Sequence, residues 1–188
     1  MSDSLNPLIR QRRSGCIIAP DKPVESSKTE ALLEAARWAP SCSNQQSWRF
    51  IVIENEALPS VKETLSRGNR WALHAPLIIA AITKPDLGCR ITGRDYFTLD
   101  LGLAIENMLL QGIHMGLVMH PIAGFDENKI KLLMDIPPGY RVYALVVAGY
   151  PGSFDGADSE IVEKESAPRN RKPVGKIASR EKWGFSEE

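Results

Sequence analysis

The chain has 188 residues, of which 43% are apolar, and its 23 basic and 23 acidic residues give a formal net charge of zero. This apolar content excludes a wholly disordered chain, and the length suits one domain or a subunit that completes its core by pairing. The balanced charge argues against a nucleic-acid-binding protein, because such proteins usually carry an excess of Lys and Arg.

Two helices are predicted before residue 41. Pro7 opens a short helix that ends at Gly15, because proline is favoured in a first turn. Ser26 or Ser27 is expected to cap the second helix, and Pro40 ends it. Three arginines lie near the end of the first helix, and this segment alone is compatible with either an anion site or a solvated basic face.

Apolar runs predict the strands of one sheet. Residues 48–54 alternate and are β-branched, which indicates a strand. Residues 77–82 and 142–148 are almost entirely apolar, as expected for interior strands that are covered on both faces. Residues 117–122 form a shorter strand, and a turn follows at residues 123–125.

Three more helices are predicted between these strands. Residues 58–65 form a short helix, and Gly68-Asn69 is expected to end it in the left-handed conformation. Residues 96–116 form the longest helical pattern, and apolar side chains cover so much of its circumference that we expect it to be buried, in part at a subunit interface. Asp126 is expected to cap a helix over residues 127–134.

The last part of the chain has a different character. Residues 83–94 are a predicted loop, but beyond Pro151 all periodicity is lost. Trp183 and Phe185 nevertheless occur in this polar tail, which favours a segment that lies along another surface. We therefore expect one domain over residues 1–188, in which residues 152–188 form a C-terminal arm.

The cysteine pattern and the N-terminal segment indicate a cytoplasmic protein. Cys16, Cys42 and Cys89 are odd in number and form no CxxC pair, so we expect free thiols in a reducing compartment. The N-terminal segment lacks the apolar core of a signal peptide. The most apolar helical stretch, residues 99–119, contains acidic, amide and histidine side chains, so we expect no membrane span.

Several motifs of catalysis and cofactor binding are absent from the sequence. It contains no GxGxxG turn, no GxxxxGK[ST] loop and no GxSxG elbow. His74, His114 and His120 have no ligand spacing to one another or to the cysteines, so we expect no metal site. Cys42 with a histidine partner would be a nucleophile, but a cysteine beside Ser and Asn is more often a small packed residue.

The remaining signal is a distribution of small polar loops and arginines. The link between the second helix and the first strand is rich in Ser, Asn and Gln, which is typical of a ligand-contacting turn. Arg12 and Arg13 lie near one end of the chain, and Arg169 and Arg171 lie near the other. Guanidinium groups suit a phosphate dianion. We therefore infer a flat, phosphorylated cofactor, and FMN fits that description.

Five segments, in this order along the chain, resemble the nitroreductase family of FMN-dependent oxidoreductases. They are Arg12-Arg13-Ser14, the Pro-Ser-x-x-Asn-x-Gln-x-Trp loop of residues 40–48, Gly68-Asn69 with Ala75-Pro76, the Pro-Ile-x-Gly-Phe turn of residues 121–125, and Arg169-Asn170-Arg171. Each motif alone is weak, but the ordered set spans nearly the whole chain. The chain departs from the family pattern at Cys16, where Lys or Arg is common, and at Ser47, where Pro is usual.

The resemblance implies an α+β fold with a mixed, mainly antiparallel sheet flanked by helices. It also implies an intertwined homodimer, with FMN at the subunit interface and C-terminal arms that embrace the partner. The implied activity is hydride transfer from NAD(P)H through flavin N5 to a nitroaromatic, a quinone or a similar flat electrophile by a ping-pong mechanism. Under this mechanism no side chain need act as a catalytic acid or base.

The resemblance also assigns cofactor contacts by position. The basic segments and Ser14 would hold the phosphate and ribityl chain, the polar loop would line the isoalloxazine, and the Ala123/Gly124 backbone would face flavin N5. Arg13 or Arg94 would supply the positive charge that Cys16 lacks. The implied cofactor-binding residues are Arg12, Arg13, Ser14, Pro40, Ser41, Cys42, Asn44, Asn69, Pro121, Ile122, Ala123, Gly124, Arg169 and Arg171.

Two other functions stay open at this point. Family members that dehalogenate substrates or fragment the flavin usually carry an extra lid over the ring, for which residues 83–94 are the only local candidate. A non-catalytic module would use the basic patches at residues 10–13 and 169–172 to bind phosphorylated or nucleic-acid partners. The sequence specifies neither the electron acceptor nor a preference between NADH and NADPH.

Overall fold

The computed structural model describes residues 4–20 and 22–185. Residues 1–3, Asp21 and residues 186–188, which the predicted domain and its arm include, lie outside the described residues. Six strands are present in the described part. In chain order they are β1 (Arg49–Ile53), β2 (Leu77–Thr83), β3 (Arg90–Ile91), β4 (Arg94–Asp95), β5 (Val118–Ile122) and β6 (Arg141–Gly149).

The central sheet has the strand order β1–β2–β6–β5, and each of its three pairings is antiparallel. In this register, Ile79 lies opposite Val52 on one side and Val146 on the other. β2 is buried over its whole length, which explains the apolar run in its sequence. β3 and β4 pair with each other in a separate two-stranded hairpin.

The helices and 3₁₀ segments connect these strands. The α-helices are α1 (Pro7–Gln11), α2 (Ser26–Arg37), α3 (Leu58–Lys62), α4 (Phe97–His114), α5 (Glu127–Leu133) and α6 (Ser159–Ser166). The 3₁₀ segments are Cys42–Asn44, Asn55–Ala57, Arg67–His74, Pro85–Leu87 and Val174–Lys176. Among the described helices, none combines the length and the apolarity that a membrane span requires.

Helices cover both faces of the central sheet. α2 and α4 pack on one face, where Leu32 and Ile79 belong to the same buried cluster. α3, α5 and the 3₁₀ segment Arg67–His74 cover the other face, where Ile78 and Ile130 belong to a second cluster. Adjacent residues of β2 thus serve opposite faces, as the two-residue period of a strand requires. Each fully buried aliphatic side chain contributes about 1.5–3 kcal/mol to folding, so the two clusters stabilise the three layers together.

The predicted fold class is confirmed: the chain is an α+β protein with an antiparallel central sheet between helices. The four predicted strands correspond to β1, β2, β5 and β6, and the longest predicted helix corresponds to α4. The short strands β3 and β4 begin within residues 83–94, which were predicted to be a loop. Asp126 caps α5 as expected, since its side chain accepts a hydrogen bond from the Lys129 amide at 3.0 Å.

Three predictions about helix ends are wrong. α1 ends at Gln11 and does not continue to Gly15. The N-cap of α2 is Glu25, whose side chain makes no capping hydrogen bond, and not Ser26 or Ser27. Gly68 and Asn69 do not end a helix in the left-handed conformation, because both lie inside the 3₁₀ segment Arg67–His74 and Asn69 has a φ of −108°. A long-range hydrogen bond from the Asn69 side chain, described below, holds this segment instead.

The chain after β6 contains a helix, α6, that the sequence analysis did not predict. Beyond α6, residues 167–185 are irregular apart from one 3₁₀ turn, and their side chains are largely exposed. Val174 is 73%, Ile177 65% and Trp183 81% exposed. Such exposed apolar side chains are consistent with an arm that packs on a second subunit, and that assignment stays a prediction.

Candidate functional site

The basic segments from the two ends of the chain lie together. Arg169 donates hydrogen bonds to the backbone carbonyls of Arg10 and of Arg12, the latter at 2.6 Å. The Nε atom of Arg12 lies 3.7 Å from Oε1 of Glu106 on α4. Arg169 therefore stabilises the end of α1 and the start of the segment that follows it, because its guanidinium donates to backbone carbonyls there.

The next residues of this segment are held by one carboxylate of α6. Glu165 accepts hydrogen bonds from the backbone amides of Cys16 and Ile17, the latter at 3.3 Å. Its second oxygen lies 3.4 Å from Nε of Arg13, so the charge of Arg13 is engaged within the chain.

A histidine of β5 contacts the same segment from the side of the sheet. Nδ1 of His120 lies 3.1 Å from the Gly15 carbonyl, and because a carbonyl only accepts, Nδ1 carries the proton. The ring of Trp71 stacks on the imidazole with 4.6 Å between centroids. Burial lowers the pKa of His120, so this imidazole is neutral at pH 7.

Cys16 places a neutral group where the family resemblance leads one to expect a cation. Its sulfur lies 3.6 Å from Nδ1 of His120. Burial, with a smaller contribution from the Glu165 carboxylate, raises the pKa of the Cys16 thiol to about 11. The neighbouring cations Lys164 and Arg13 oppose that rise only in part, so the thiol is protonated at neutral pH.

The Gly-Asn and Pro-Ile-x-Gly-Phe motifs meet in space. The Gly124 carbonyl accepts a hydrogen bond from Nδ2 of Asn69 at 2.9 Å and another from the Ser66 amide at 3.0 Å. A Cβ atom on Gly124 would lie 2.4 Å from Oγ of Ser66 and 2.7 Å from Nδ2 of Asn69. Only glycine allows this approach. Pro121 and Ile122 form the end of β5 that leads into this turn.

The polar loop before β1 has an unusual backbone. Ser43, Asn44 and Gln46 have φ values of 48°, 55° and 50°. Left-handed conformations are uncommon for residues other than glycine, and they concentrate at functional sites. The Ser41 hydroxyl supports the shape by accepting a hydrogen bond from the Gln46 amide at 3.0 Å. The loop is therefore held in a specific conformation.

Asp100, in the first turn of α4, anchors this loop. Its side chain is buried, and its two oxygens accept hydrogen bonds from the Cys42 amide at 3.1 Å and the Ser47 hydroxyl at 3.3 Å. The Cys42 thiol interacts with the thiol of Cys89, and this contact raises the pKa of Cys42. Cys42 therefore has the character of a neighbour in a packed loop, since an activated nucleophile needs a lowered thiol pKa.

The polar loop and the Gly124 turn belong to opposite edges of the sheet. β1 begins and β5 ends at the same end of the sheet, because successive strands in the order β1–β2–β6–β5 run in opposite directions. Three inter-strand steps separate β1 from β5, which corresponds to about 14 Å. The predicted residues thus fall into two groups: those around the basic segments and Gly124, and those of the loop at residues 40–46.

Several residues of both groups lie on the surface. Ser14, Pro40 and Ala123 are exposed. Arg171 is also exposed, and it donates a hydrogen bond to the carbonyl of the adjacent Asn170 at 2.7 Å.

Four of the five sequence motifs lie within a segment that matches a known protein family. The family model for the Nitroreductase family matches residues 9–150. The chain belongs to the nitroreductase family.

Individual relatives agree with this assignment. The uncharacterised 15.4 kDa protein in the ask 5′ region of Mycolicibacterium smegmatis is 32% identical over 135 residues, which are 69% of this chain and 86% of that protein. A protein of Archaeoglobus fulgidus is 28% identical over 149 residues, 77% of this chain and 83% of its own, and is provisionally named NADH dehydrogenase/NAD(P)H nitroreductase. A crystal structure described as the oxidoreductase containing FMN superposes with a TM-score of 0.88 at 27% identity and covers 99% of this chain and 96% of its own.

Several residues of this nitroreductase-family site were not found from the sequence. The role of Asp100 was indicated by the sequence, because an acidic residue within an apolar helix needs a polar partner. Nothing in the sequence pointed to Glu165, because the helix that carries it, α6, was not predicted. His120 was considered only as a metal ligand, and within residues 4–20 and 22–185 no cluster of three or more His, Cys, Asp or Glu side chains is arranged to hold a metal ion.

Proposed function

We propose that this nitroreductase-family chain is an FMN-dependent oxidoreductase that uses NAD(P)H to reduce a nitroaromatic, a quinone or a similar flat electrophile. FMN, when bound, supplies the redox chemistry by accepting a hydride equivalent from the dinucleotide and passing it to the acceptor in a second half-reaction. The protein then has to bind the cofactor, orient it, and leave one face open to two successive substrates.

One observation carries the proposal: four segments that are distant in sequence form a single cluster. The N-terminal segment contacts β5 through Gly15 and His120 at 3.1 Å, and Arg169 braces that segment from the C-terminal side. The turn after β5 is joined to Asn69 at 2.9 Å. Four of the five motifs that resemble the family are thereby adjacent in the folded chain.

The groups in this cluster fit a phosphorylated flavin. Guanidinium and hydroxyl donors suit a phosphate dianion, and Arg12, Ser14 and Arg171 are the residues that we assign to it. Arg169 uses hydrogen bonds to hold the backbone at Arg10 and Arg12, so we assign it to support of the phosphate site. Arg13 is held both by Glu165 at 3.4 Å and by the Lys164 carbonyl. Arg12 has the longer contact of 3.7 Å with Glu106, so we assign Arg13 a smaller direct role.

The isoalloxazine needs a flat, polar surface that backbone groups can approach closely. The exposed Ala123 makes such an approach possible at the turn after β5, and the contacts of Gly124 with Ser66 and Asn69 hold that turn in shape. The loop at residues 40–44 offers small side chains on a specific backbone shape. We assign Pro40, Ser41, Cys42 and Asn44 to one side of the ring.

We further propose that the site is completed in a homodimer. The loop and the Gly124 turn lie on opposite edges of one sheet, so a second copy can place its own loop against the first copy's basic cluster. Exposed apolar residues on α4, Leu99 at 55% and Leu103 at 38%, support such an interface. The exposed side chains of residues 167–185 support an arm that packs on the partner.

The test is a spectrum of the purified protein followed by anaerobic reduction. We expect a yellow protein with flavin absorbance that bleaches on addition of NADH or NADPH and returns when a nitroaromatic or a quinone is added. Stopped-flow comparison of the two dinucleotides gives the preferred donor. A colourless protein that does not take up added FMN would disprove the proposal. A bound flavin that only dithionite reduces would retain the cofactor assignment and refute the use of NAD(P)H.

A further inference from the structure

Glu165 contacts the segment that follows α1 at several positions. It lies near the end of α6, and its side chain is only 11% exposed. One of its oxygens accepts hydrogen bonds from two consecutive backbone amides, those of Cys16 and Ile17. The other oxygen faces Arg13, whose Nη2 also donates to the Lys164 carbonyl at 3.3 Å. One acidic residue thus engages three positions of the N-terminal segment.

The segment from Arg12 to Ile17 has little regular structure to support it. α1 ends at Gln11, and the next sheet contact is the isolated bridge between Ile18 and Pro151. Backbone amides in such a segment need partners, and a buried amide without one costs about 1–3 kcal/mol. Glu165 supplies two of these partners at once.

Packing on both sides makes the geometry of this segment tight. A Cβ atom on Gly15 would lie 2.9 Å from Cγ1 of Val118 and 3.2 Å from Oε1 of Glu165. The Gly15 carbonyl is held at 3.1 Å by His120 of β5. The segment is therefore clamped between the sheet and α6, and glycine is the residue that fits the gap.

We propose that Glu165 is a positioning residue for the flavin phosphate. It holds the segment from Arg12 to Ile17 in the shape in which Arg12 and Ser14 bind the phosphate, and it makes that shape depend on the docking of α6. This inference rests on the proposed function. It assigns the C-terminal part of the chain a role in cofactor binding within its own subunit, in addition to any contact with the partner.

The sign of the effect separates this role from simple electrostatics. A carboxylate near a phosphate site repels the phosphate, so its removal would tighten FMN binding if repulsion were its main effect. A positioning role predicts the opposite. Because the contact concerns the phosphate-binding segment, it also predicts that riboflavin, which lacks the phosphate, is affected much less than FMN.

The experiment uses the full-length chain stripped of flavin and titrated separately with FMN and riboflavin. We expect Glu165→Ala to raise the Kd for FMN about tenfold or more, as the loss of a charge-assisted hydrogen bond implies, and to change the Kd for riboflavin less than about threefold. Glu165→Gln keeps one acceptor for the amides, so we expect a smaller loss. Glu163→Ala, an exposed residue of the same helix, is the matched control and is expected to bind both ligands like the wild type.

A second readout does not involve flavin. Amide hydrogen exchange at Cys16 and Ile17 is expected to accelerate in Glu165→Ala and to stay unchanged in Glu163→Ala. Tighter FMN binding in the Glu165 variants, equal losses for FMN and riboflavin, or unchanged exchange at both amides would each overturn the inference while the proposed function stands. A wild-type chain that binds neither flavin would refute the proposed function itself.

Discussion

Cys16 shows how one substitution changes the chemistry of a family position. A Lys or Arg there would add a positive charge beside the proposed flavin, whereas the thiol adds none at neutral pH. Its environment reinforces this difference, because burial and the Glu165 carboxylate raise the pKa of the Cys16 thiol to about 11. Any positive charge near the proposed flavin must therefore come from the arginines of the two basic segments.

We expect Cys16 to be alkylated slowly because so little of it is thiolate. Compared with a cysteine of pKa 9.0, its thiolate fraction near pH 8 is lower by about two orders of magnitude. A more basic thiolate is also more nucleophilic, so its reaction with iodoacetamide should slow by about tenfold or more. Since the folded pKa is raised, the rate should keep rising about tenfold per pH unit beyond pH 9 and level off only near pH 11. Peptide-resolved mass spectrometry of a timed alkylation measures this.

The control is the same reaction in denaturant, where burial and the Glu165 contact are lost and Cys16 should react like an ordinary cysteine. Alkylation of Cys16 at equal rates in the folded and denatured protein would contradict the raised pKa.

At the scale of elements, the structure separates what local patterns predict from what only tertiary contacts decide. β2 and α4 were predictable because long runs rich in apolar residues indicate that a segment is buried. α6 was missed because its apolar residues are few and it is not buried in the core. The segment at Gly68-Asn69 was misjudged because its conformation follows from the bond to Gly124, which lies 55 positions away.

The loop before β1 illustrates the same division. Its small polar residues indicated a special turn, and the positive φ values at Ser43, Asn44 and Gln46 agree with that. Its anchor, however, is Asp100 on α4, a helix that begins only after four intervening strands. Local propensity carries no information about such a partner, and only the presence of an acidic residue within an apolar pattern suggested that one existed.

We expect Asp100→Asn to destabilise this loop and the fold. The substitution replaces acceptor capacity with an amide group that faces the donors Cys42 and Ser47, and a lost hydrogen bond to a charged group costs about 1.5–3 kcal/mol. Chemical denaturation at fixed protein concentration measures the free energy of unfolding. If the loop lines the flavin, FMN affinity should fall as well.

Asp95→Asn is the matched control. Asp95 lies just before α4, is exposed, and faces Arg90 at 3.6 Å, so its removal should change the free energy of unfolding by less than about 0.5 kcal/mol. Equal stability of the two variants would show that Asp100 does not anchor the loop.

At the scale of the whole molecule, the motifs of the site were predictable and their arrangement was not. The sequence order placed Arg12 and Arg169 at opposite ends of the chain, and the fold joins them by a hydrogen bond across 157 positions. Conversely, Asn44 and Gly124 belong to the same proposed site, but Asn44 precedes one edge strand, β1, and Gly124 follows the other, β5. A site divided in this way follows from strand order, which an apolar pattern does not specify.

The surface near the loop indicates how a second subunit would complete the site. Leu99 and Leu103 of α4, Ile91 of the β3–β4 hairpin and the loop residues Pro40 and Cys42 line a shared surface cavity of about 270 Å³. A Cβ atom on Gly102 would meet no atom within 4 Å in the single chain, so another helix can approach this face closely. Exposed apolar side chains around such a cavity are typical of an interface.

We expect Leu99→Glu to convert the proposed dimer into a monomer and to release the proposed flavin at the same time. A charge at the centre of an apolar interface is desolvated without a partner, which strongly disfavours association. Light scattering after size exclusion would then change from twice the 20.8 kDa of one chain to a single 20.8 kDa chain, with loss of the absorbance of bound FMN.

Leu132→Glu on α5 is the control for this prediction. Leu132 is 80% exposed, more than Leu99, but it belongs to a different helix on the opposite face of the sheet. The variant should therefore stay dimeric and keep its flavin. A dimer that survives Leu99→Glu would place the interface elsewhere, whereas a monomeric Leu99→Glu variant that retains FMN at full affinity would show that one chain forms the whole site. The joint loss of dimer and flavin is the outcome expected of a site built from both subunits, because the loop of one chain must then lie against the basic cluster of the other.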